Sequence, residues 1–420
     1  MSSEAVGNRN LKPIVAATLI AIAAGFVLGG YEFIRSPSNT LFKGAYGSAN
    51  LPTIMALIPL SVFIVTYIYG RILSAFGSRK TLLITTIGSA LIMSVGVFLY
   101  ESGLKPAVWV VYLFRSAYVV LLIEQYWSFL NSTLSSEDAR KYNGPICGIG
   151  SLGAIAAGFI GAEIASTVGT ASMIYIAAAL TLPAALFSDL AYKKFGEPKD
   201  EPDHDKVKDP DHLGLKLFKK EKVLVLILLI ILATQVVAAV LEISFQTLLQ
   251  IDMPDPEIQT AWSMKYYALI NTLSAVLQFI AAPLILRFLN PGLINILIPV
   301  LHVVTIGLFI GDPGLMTAGV AYAGFKCVDY SIFRAAKEML YMPLSFDARY
   351  RAKEVIDSFG YRFSKGITSG VITLVQKNAA FVFTDTMFGI IALCSCLVWA
   401  GVAAPLAKYF KMREPKGIKS

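Results

Sequence analysis

The sequence predicts an all-α integral membrane protein whose twelve transmembrane helices form two six-helix bundles. Three observations lead to this prediction. Of the 420 residues, 56% are hydrophobic and only 15% are charged, whereas about a quarter of the residues of a soluble domain are charged. The apolar residues fall into runs of about twenty, the length that crosses a bilayer as a helix. One long polar stretch, residues 193–222, separates six such runs from the other six.

The apolar runs define the predicted spans in order. Their approximate bounds are 13–34, 51–74, 81–100, 107–130, 145–167, 170–192, 223–249, 261–286, 291–310, 313–336, 354–376 and 382–408. The chain is therefore expected to divide into an N-terminal six-helix bundle (1–192), a cytoplasmic linker loop (193–222) and a C-terminal six-helix bundle (223–420). We expect no cleavable signal, because the first apolar run is long enough to remain as a span.

Basic residues predict how the spans are oriented. The loops on one side carry most of the lysine and arginine residues, for example Arg79 and Lys80. The loops on the other side carry only Lys43, Lys105 and Lys377. Since short cytoplasmic loops are enriched in lysine and arginine, both termini are predicted to be cytoplasmic.

The two predicted bundles share a short sequence pattern. Ser-x-Asp-Ala-Arg occurs at residues 136–140 and again at 345–349, an offset of 209 residues. Paired six-span halves joined by a long middle loop are typical of the major facilitator architecture, which binds its solute between the halves near the middle of the membrane. The basic loop at residues 70–80 also resembles one found in that architecture.

Charged and polar side chains recur at helical spacing inside several predicted spans. A basic side chain at the centre of a membrane helix costs about 2.5–3.5 kcal/mol on insertion scales, so it is expected to face a cavity or a partner. We interpret these side chains as the lining of a watery solute path. Seven of them are predicted to bind the solute: Arg115, Glu242, Gln246, Asn271, Lys326, Arg362 and Lys365.

Three acidic side chains are candidates for proton coupling, namely Glu32, Glu124 and Glu242. A buried carboxyl group can exchange a proton during transport and so link solute movement to the proton gradient. For Glu32, a structural ion pair with Arg35 three residues later is an equally good interpretation. Likewise, Lys326 and Asp329 are three apart and can neutralise each other.

The sequence favours neither an enzyme nor a metal protein. The four cysteines lie in or beside apolar runs, which is typical of buried thiols. His204 and His212 lie among acidic residues in the polar loop, where a solvated linker is favoured over a metal site. The chain has no Walker-type loop, which argues against ATP-driven transport. We expect no cofactor and no nucleic acid partner; the expected partners are a small-molecule solute, membrane lipids and protons, and the oligomeric state is not predicted.

Three stretches carry a resemblance to a known family. The first runs from Lys337 to Ser369, and the second, which follows the fourth span, covers residues 127–150. The third holds Glu242, with Pro254 and Asp255 after it. These stretches resemble the ATP/ADP translocase family of plastids and intracellular bacteria. The resemblance implies nucleotide exchange in the inner membrane of a bacterium, with Glu242 important for that exchange.

The sequence departs from this family at polar positions. Arg115 replaces a functional glutamate of the family, and Ser38 and Asn39 replace a Lys-Asp pair. Because few residues contact a solute, such changes alter specificity rather than fold. We therefore predict a proton-coupled secondary transporter, symporter or antiporter, for a small anionic or zwitterionic organic solute. A nucleotide exchange translocase is the alternative. A scaffold or receptor is disfavoured, because it does not need polar stripes inside its bundle.

Overall fold

A computed structural model describes residues 3–195, 215–342, 344, 353–379 and 381–413, and every regular element in these ranges is helical. The helices before the polar loop are α1 (Ser3–Tyr46), α2 (Leu51–Glu101), α3 (Ala107–Thr133), α4 (Ser136–Val168) and α5 (Ser172–Phe195). Those that follow are α6 (Leu215–Lys220), α7 (Lys222–Asp252), α8 (Pro256–Val276), α9 (Ala282–Phe288), α10 (Pro291–Gly311), α11 (Leu315–Val328), α12 (Arg334–Tyr341), α13 (Lys353–Val355), α14 (Tyr361–Asn378) and α15 (Asp385–Arg413).

The described helices agree with twelve spans once two features are taken into account. Nine of them are long and apolar enough to cross a membrane. Helix α2 counts once, yet it contains predicted spans two and three, which meet at Gly77 with φ 74°, a conformation that favours glycine. Predicted spans ten and eleven are not among the nine, but the structure is helical there, with α11 and α12 in the first and α14 in the second. The nine helices, the additional span within α2 and the helices of predicted spans ten and eleven are together consistent with twelve spans. The predicted all-α membrane fold is therefore confirmed.

Helix α1 is longer than predicted. It continues to Tyr46, beyond the predicted end at residue 34. As a result Lys43, which we expected in a loop, is only 1% exposed. Residues 35–46 include several polar side chains, yet they continue the helix.

Packing groups the chain into two compact units. Unit 1 comprises Met1–Gly47, Leu60–Lys206 and Met253–Asn271, and unit 2 comprises Ser48–Pro59, Val207–Asp252 and Thr272–Ser420. Each unit takes a short segment from the opposite predicted bundle. The predicted bounds 1–192, 193–222 and 223–420 therefore remain predictions, and residues 196–214 of the loop lie outside the described residues.

In unit 1, helix α1 packs against α3, α4 and α5. Small residues allow α1 and α4 to approach closely. A Cβ atom on Gly153 of α4 would lie 2.4 Å from the backbone oxygen of Gly25 in α1. Because this neighbour is backbone, it cannot move aside without separating the two helices. The same helix also carries Gly148, where a Cβ atom would meet nothing within 4 Å.

We expect Gly153→Ala to destabilise unit 1 by about 1–3 kcal/mol, the usual cost of overpacking a tight contact. Gly148→Ala is the matched control, and it should be neutral or stabilising by up to about 1 kcal/mol, because alanine favours a helix more than glycine does. Thermal unfolding of the two purified variants in detergent measures the difference. Equal unfolding temperatures would contradict the close approach of α1 and α4.

In unit 2, helix α7 packs against α11, α14 and α15. Among the described residues of this unit, three five-residue π-helical segments interrupt the helices: Leu277–Ala281 after α8, Asp329–Phe333 between α11 and α12, and Ile356–Gly360 between α13 and α14. The first two of these segments pack against each other. Each π-helical turn contains one extra residue, which redirects the side chains that follow, and such turns are frequent at functional sites.

Candidate functional site: a buried charge cluster in each unit

The cluster of unit 1 is built on α1 around Glu32, which is 2% exposed. Its carboxylate accepts a hydrogen bond from Arg35 Nη2 at 2.5 Å and another from Asn271 Nδ2 at 3.0 Å. The Arg35 guanidinium in turn lies 3.6 Å from the centre of the Tyr267 ring. The expected ion pair between Glu32 and Arg35 is therefore present, and Asn271 joins it.

Arg115 of α3 completes the unit 1 cluster. Its Nη1 donates to the backbone oxygen of Arg35 and to Ser38 Oγ at 2.9 Å, and its Nη2 donates to Asn39 Oδ1 at 2.9 Å. The guanidinium also lies 3.8 Å from the centre of the Tyr112 ring. All of these acceptors are neutral, and the described residues supply no ion-pair partner to this arginine, which is only 4% exposed.

The three departures from the translocase family are thus in direct contact. Arg115 donates hydrogen bonds to both Ser38 and Asn39. An ionised glutamate at position 115 would offer no donor to the backbone oxygen of Arg35 or to the Asn39 amide oxygen. The three positions therefore belong to one polar contact. Sequence reasoning noted each change but missed the contact, since the two segments are more than seventy residues apart.

The cluster of unit 2 is built around Glu242 of α7. Glu242 Oε2 accepts hydrogen bonds from Lys365 Nζ of α14 at 2.6 Å and from the Tyr322 hydroxyl of α11 at 2.9 Å. Lys326 lies within electrostatic range of the same carboxylate and donates to the Tyr330 hydroxyl at 3.2 Å. The structure therefore brings together three of the predicted solute-binding residues, which come from three helices.

The remaining predicted residues are placed as follows. Gln246 lies one helical turn after Glu242 and is 2% exposed. Arg362 is half-buried and precedes Lys365 by three residues on α14. Glu124 is exposed on α3, where it lies within electrostatic range of the Tyr69 hydroxyl. Glu124 thus contributes to neither cluster. The expected neutralisation of Lys326 by Asp329 is not an ion pair, because the two groups are further apart than 4.0 Å.

Part of the stretch from Lys337 to Ser369 has a structural role. Lys337 Nζ lies 2.5 Å from Asp357 Oδ1, and Lys353 Nζ lies 2.5 Å from Glu338 Oε2. These pairs connect α12 to the segments that lead into α14. The predicted charged turn between them, residues 345–352, lies outside the described residues, as do the second copy of the repeat and the loop histidines. All four cysteines are free thiols, and the described residues contain no metal-binding group.

A comparison with known families concerns the part of the chain that contains Lys326, Arg362 and Lys365. Residues 314–410 match the family model described as the TLC ATP/ADP transporter. The resemblance seen in the sequence is thereby confirmed over these residues. The match includes α11, α14 and most of α15, and so covers two of the three helices that form the unit 2 cluster.

Solved structures share the fold at low sequence identity. The nucleoside transporter NupG aligns with a TM-score of 0.63 and 14% identity, covering 96% of this chain and 98% of that one. A bacterial homologue of the iron transporter ferroportin gives 0.66 and 12%, covering 93% and 98%. The xylose transporter XylE from E. coli gives 0.62 and 12%, covering 96% and 97%. These likenesses confirm the major facilitator fold, and with the family match they support a membrane transporter.

Proposed function

We propose that the protein is a secondary transporter that moves a small organic anion or zwitterion across the membrane by alternating access and is coupled to protons. One observation carries the proposal: each unit holds a buried cluster of charged side chains within its helices. Isolated charges inside a membrane are costly, and their usual role is in a path for a solute or an ion. The proposal places this path at the two clusters.

The charges of the unit 1 cluster favour an anionic group on the solute. Arg115 is buried there, the Arg35 side chain is 12% exposed, and Lys43 lies within electrostatic range of Arg115. Among the described residues of this cluster, Glu32 is the one carboxylate that faces these cations. Arginine presents several donors in a fixed plane, which suits a carboxylate or a phosphate. An anion that reaches this cluster would balance its charge.

In unit 2, Glu242, Lys326 and Lys365 offer one negative and two positive groups within a short distance. This arrangement suits a solute that carries both an acidic and an amino group, or one acidic group alone. We propose that Gln246 and Arg362 add polar contacts in unit 2, and that Arg115 and Asn271 do so in unit 1. Under this proposal the protein lies in a bacterial inner membrane with both termini in the cytoplasm.

The second candidate is a nucleotide exchange translocase. It is favoured by the match of residues 314–410 to the TLC ATP/ADP transporter, a stretch that contains Lys326, Arg362 and Lys365. The contact of Arg115 with Ser38 and Asn39 argues against an unchanged nucleotide site, because these positions carry different charges in the family. We therefore propose that the solute differs from ATP and ADP.

Uptake into proteoliposomes tests the proposal and separates the two candidates. Purified protein is reconstituted, and labelled ATP, ADP, succinate and glutamate are supplied separately, with and without an inward proton gradient. Proton-driven uptake of succinate or glutamate supports the proposed function. Saturable exchange of external ATP for internal ADP, independent of the gradient, supports the second candidate. If none of the four compounds enters faster than into protein-free liposomes, neither reading holds for these solutes.

A further inference from the structure

We propose that Asp329 is the carboxyl group that carries the coupling proton, in place of the three glutamates that the sequence suggested. This inference rests on the proposed function, since it assigns a residue to proton coupling. It is drawn from the position of Asp329, its burial and its lack of a bonded partner.

Asp329 lies near the middle of the helical run Leu315–Tyr341, so it is roughly 20 Å from either end along the helix axis. It is the first residue of the π-helical segment Asp329–Phe333. Its side chain is 8% exposed, and its Oδ1 atom is buried without any hydrogen-bond partner. Within the described part of the chain, the side chain of Asp329 makes neither an ion pair nor a hydrogen bond.

The surroundings of Asp329 contain charges that act at longer range. Lys326, Arg334 and Lys337 on its own helical run, and Lys365 on α14, lie within electrostatic range of the carboxyl group. The Tyr361 hydroxyl of α14 is also within that range. On the α10 side, the His302 ring packs against Phe325, one turn before Asp329, with ring centres 5.3 Å apart. The nearest amine in sequence, Lys326, is instead bonded to Tyr330.

This environment is suited to a group that gains and loses a proton. Burial without a bonded partner disfavours the ionised carboxylate, while the four surrounding cations favour it. The two effects oppose each other, so a change in the surrounding charge decides which form is present. When an anionic solute engages Lys326 and Lys365, their support for the ionised form weakens, and Asp329 takes a proton from water. Solute and proton then bind together, as symport requires.

The three glutamates are less suited to this role. Glu242 is held by Lys365 and Tyr322, and Glu32 is held by Arg35 and Asn271. Protonating either one would break an ion pair and leave a buried cation without its partner, which is costly. Glu124 is exposed and belongs to neither cluster.

The test uses Asp329→Asn and Asp329→Glu in full-length protein. Asparagine has the shape of a protonated aspartic acid, so this variant is expected to fold, which size-exclusion chromatography checks. Asp385→Asn is the matched control, since it removes a half-buried carboxyl group from unit 2 at the first turn of α15. In proteoliposomes, Asp329→Asn should lose proton-driven accumulation of labelled succinate or glutamate but keep exchange of the same compound across the membrane. Asp329→Glu and Asp385→Asn should keep both.

Two results would overturn the inference. One is proton-driven accumulation by Asp329→Asn at the wild-type level. The other is a wild-type protein whose solute accumulation follows a sodium gradient and not a proton gradient, which would make Asp329 a sodium ligand.

A second measurement is independent of the solute: dicyclohexylcarbodiimide adds to a protonated carboxyl group in an apolar site. Mass spectrometry should find this adduct on Asp329 and not on Glu242. An unmodified Asp329 peptide contradicts the proposal even if transport is observed. An adduct on Asp329 in a protein that transports none of the tested compounds supports the protonation of Asp329 while the proposed function fails.

Discussion

Arg115→Glu is expected to prevent folding, and adding Ser38→Lys is expected to restore it. The single change removes the donor of the Arg35 backbone oxygen, Ser38 Oγ and Asn39 Oδ1, and places a carboxylate beside that backbone oxygen. An uncompensated buried charge of this kind costs about 3–5 kcal/mol, a large part of the stability of a protein. A lysine at position 38 gives that carboxylate a cation, and so replaces the donor that was lost.

The measurement is the yield of monodisperse protein in detergent and its thermal unfolding temperature. Ser38→Lys alone is the control, and it should also destabilise the protein, because it adds a cation beside Arg115. The double variant should therefore be more stable than either single variant. If the two single changes are simply additive, the contact between α1 and α3 does not have the role described above.

Separating Glu242 from Lys365 is expected to slow transport strongly. Their atoms are 2.6 Å apart, and both side chains are largely buried. Lys365→Gln leaves the carboxylate with the Tyr322 hydroxyl as its hydrogen-bond donor and Lys326 at longer range, and Glu242→Gln leaves the amine without its counter-ion. Losing one partner of a buried, hydrogen-bonded charge pair typically costs about 2–5 kcal/mol, so we expect each variant to lower the transport rate at least about thirtyfold.

Lys353→Gln is the matched control for this prediction. It removes a lysine from an ion pair of similar length, Lys353 with Glu338, but the two side chains are 33% and 45% exposed. Exposed pairs contribute at most about 1 kcal/mol, so this variant should transport close to the wild-type rate. The double variant Glu242→Gln with Lys365→Gln should fold well and still fail to transport. A double variant that transports normally would show that the pair is structural.

The fold was predictable from sequence because span length is a simple consequence of bilayer thickness. The twelve apolar runs and the polar loop were enough to predict an all-α membrane fold. What the sequence does not encode locally is the π-helical turns, since a π turn differs from an α turn by one residue and needs no special composition. Likewise, α1 can continue past Lys43 only if that side chain can be buried, and the packing of the neighbouring helices decides whether it can.

The site was predictable in part. The charges Glu242, Lys326 and Lys365 stood out because each lies inside an apolar run, and the structure places them together. Which partner each one takes was not predictable, because pairing depends on how the helices pack. Lys326 has Asp329 one turn away and yet bonds Tyr330, which lies on the same helical run but follows the π-helical start. The unpartnered Asp329 was missed for the same reason.

The central claim is that the buried charges belong to a carrier that exposes one solute site alternately to the two sides of the membrane. Counter-transport tests it most directly. Proteoliposomes are loaded with an unlabelled compound that the wild-type protein takes up, and entry of the labelled compound is then measured at equal pH on both sides. A carrier predicts faster entry into loaded than into empty liposomes, and no such acceleration for Lys365→Gln. Equal entry rates into loaded and empty liposomes would contradict the account.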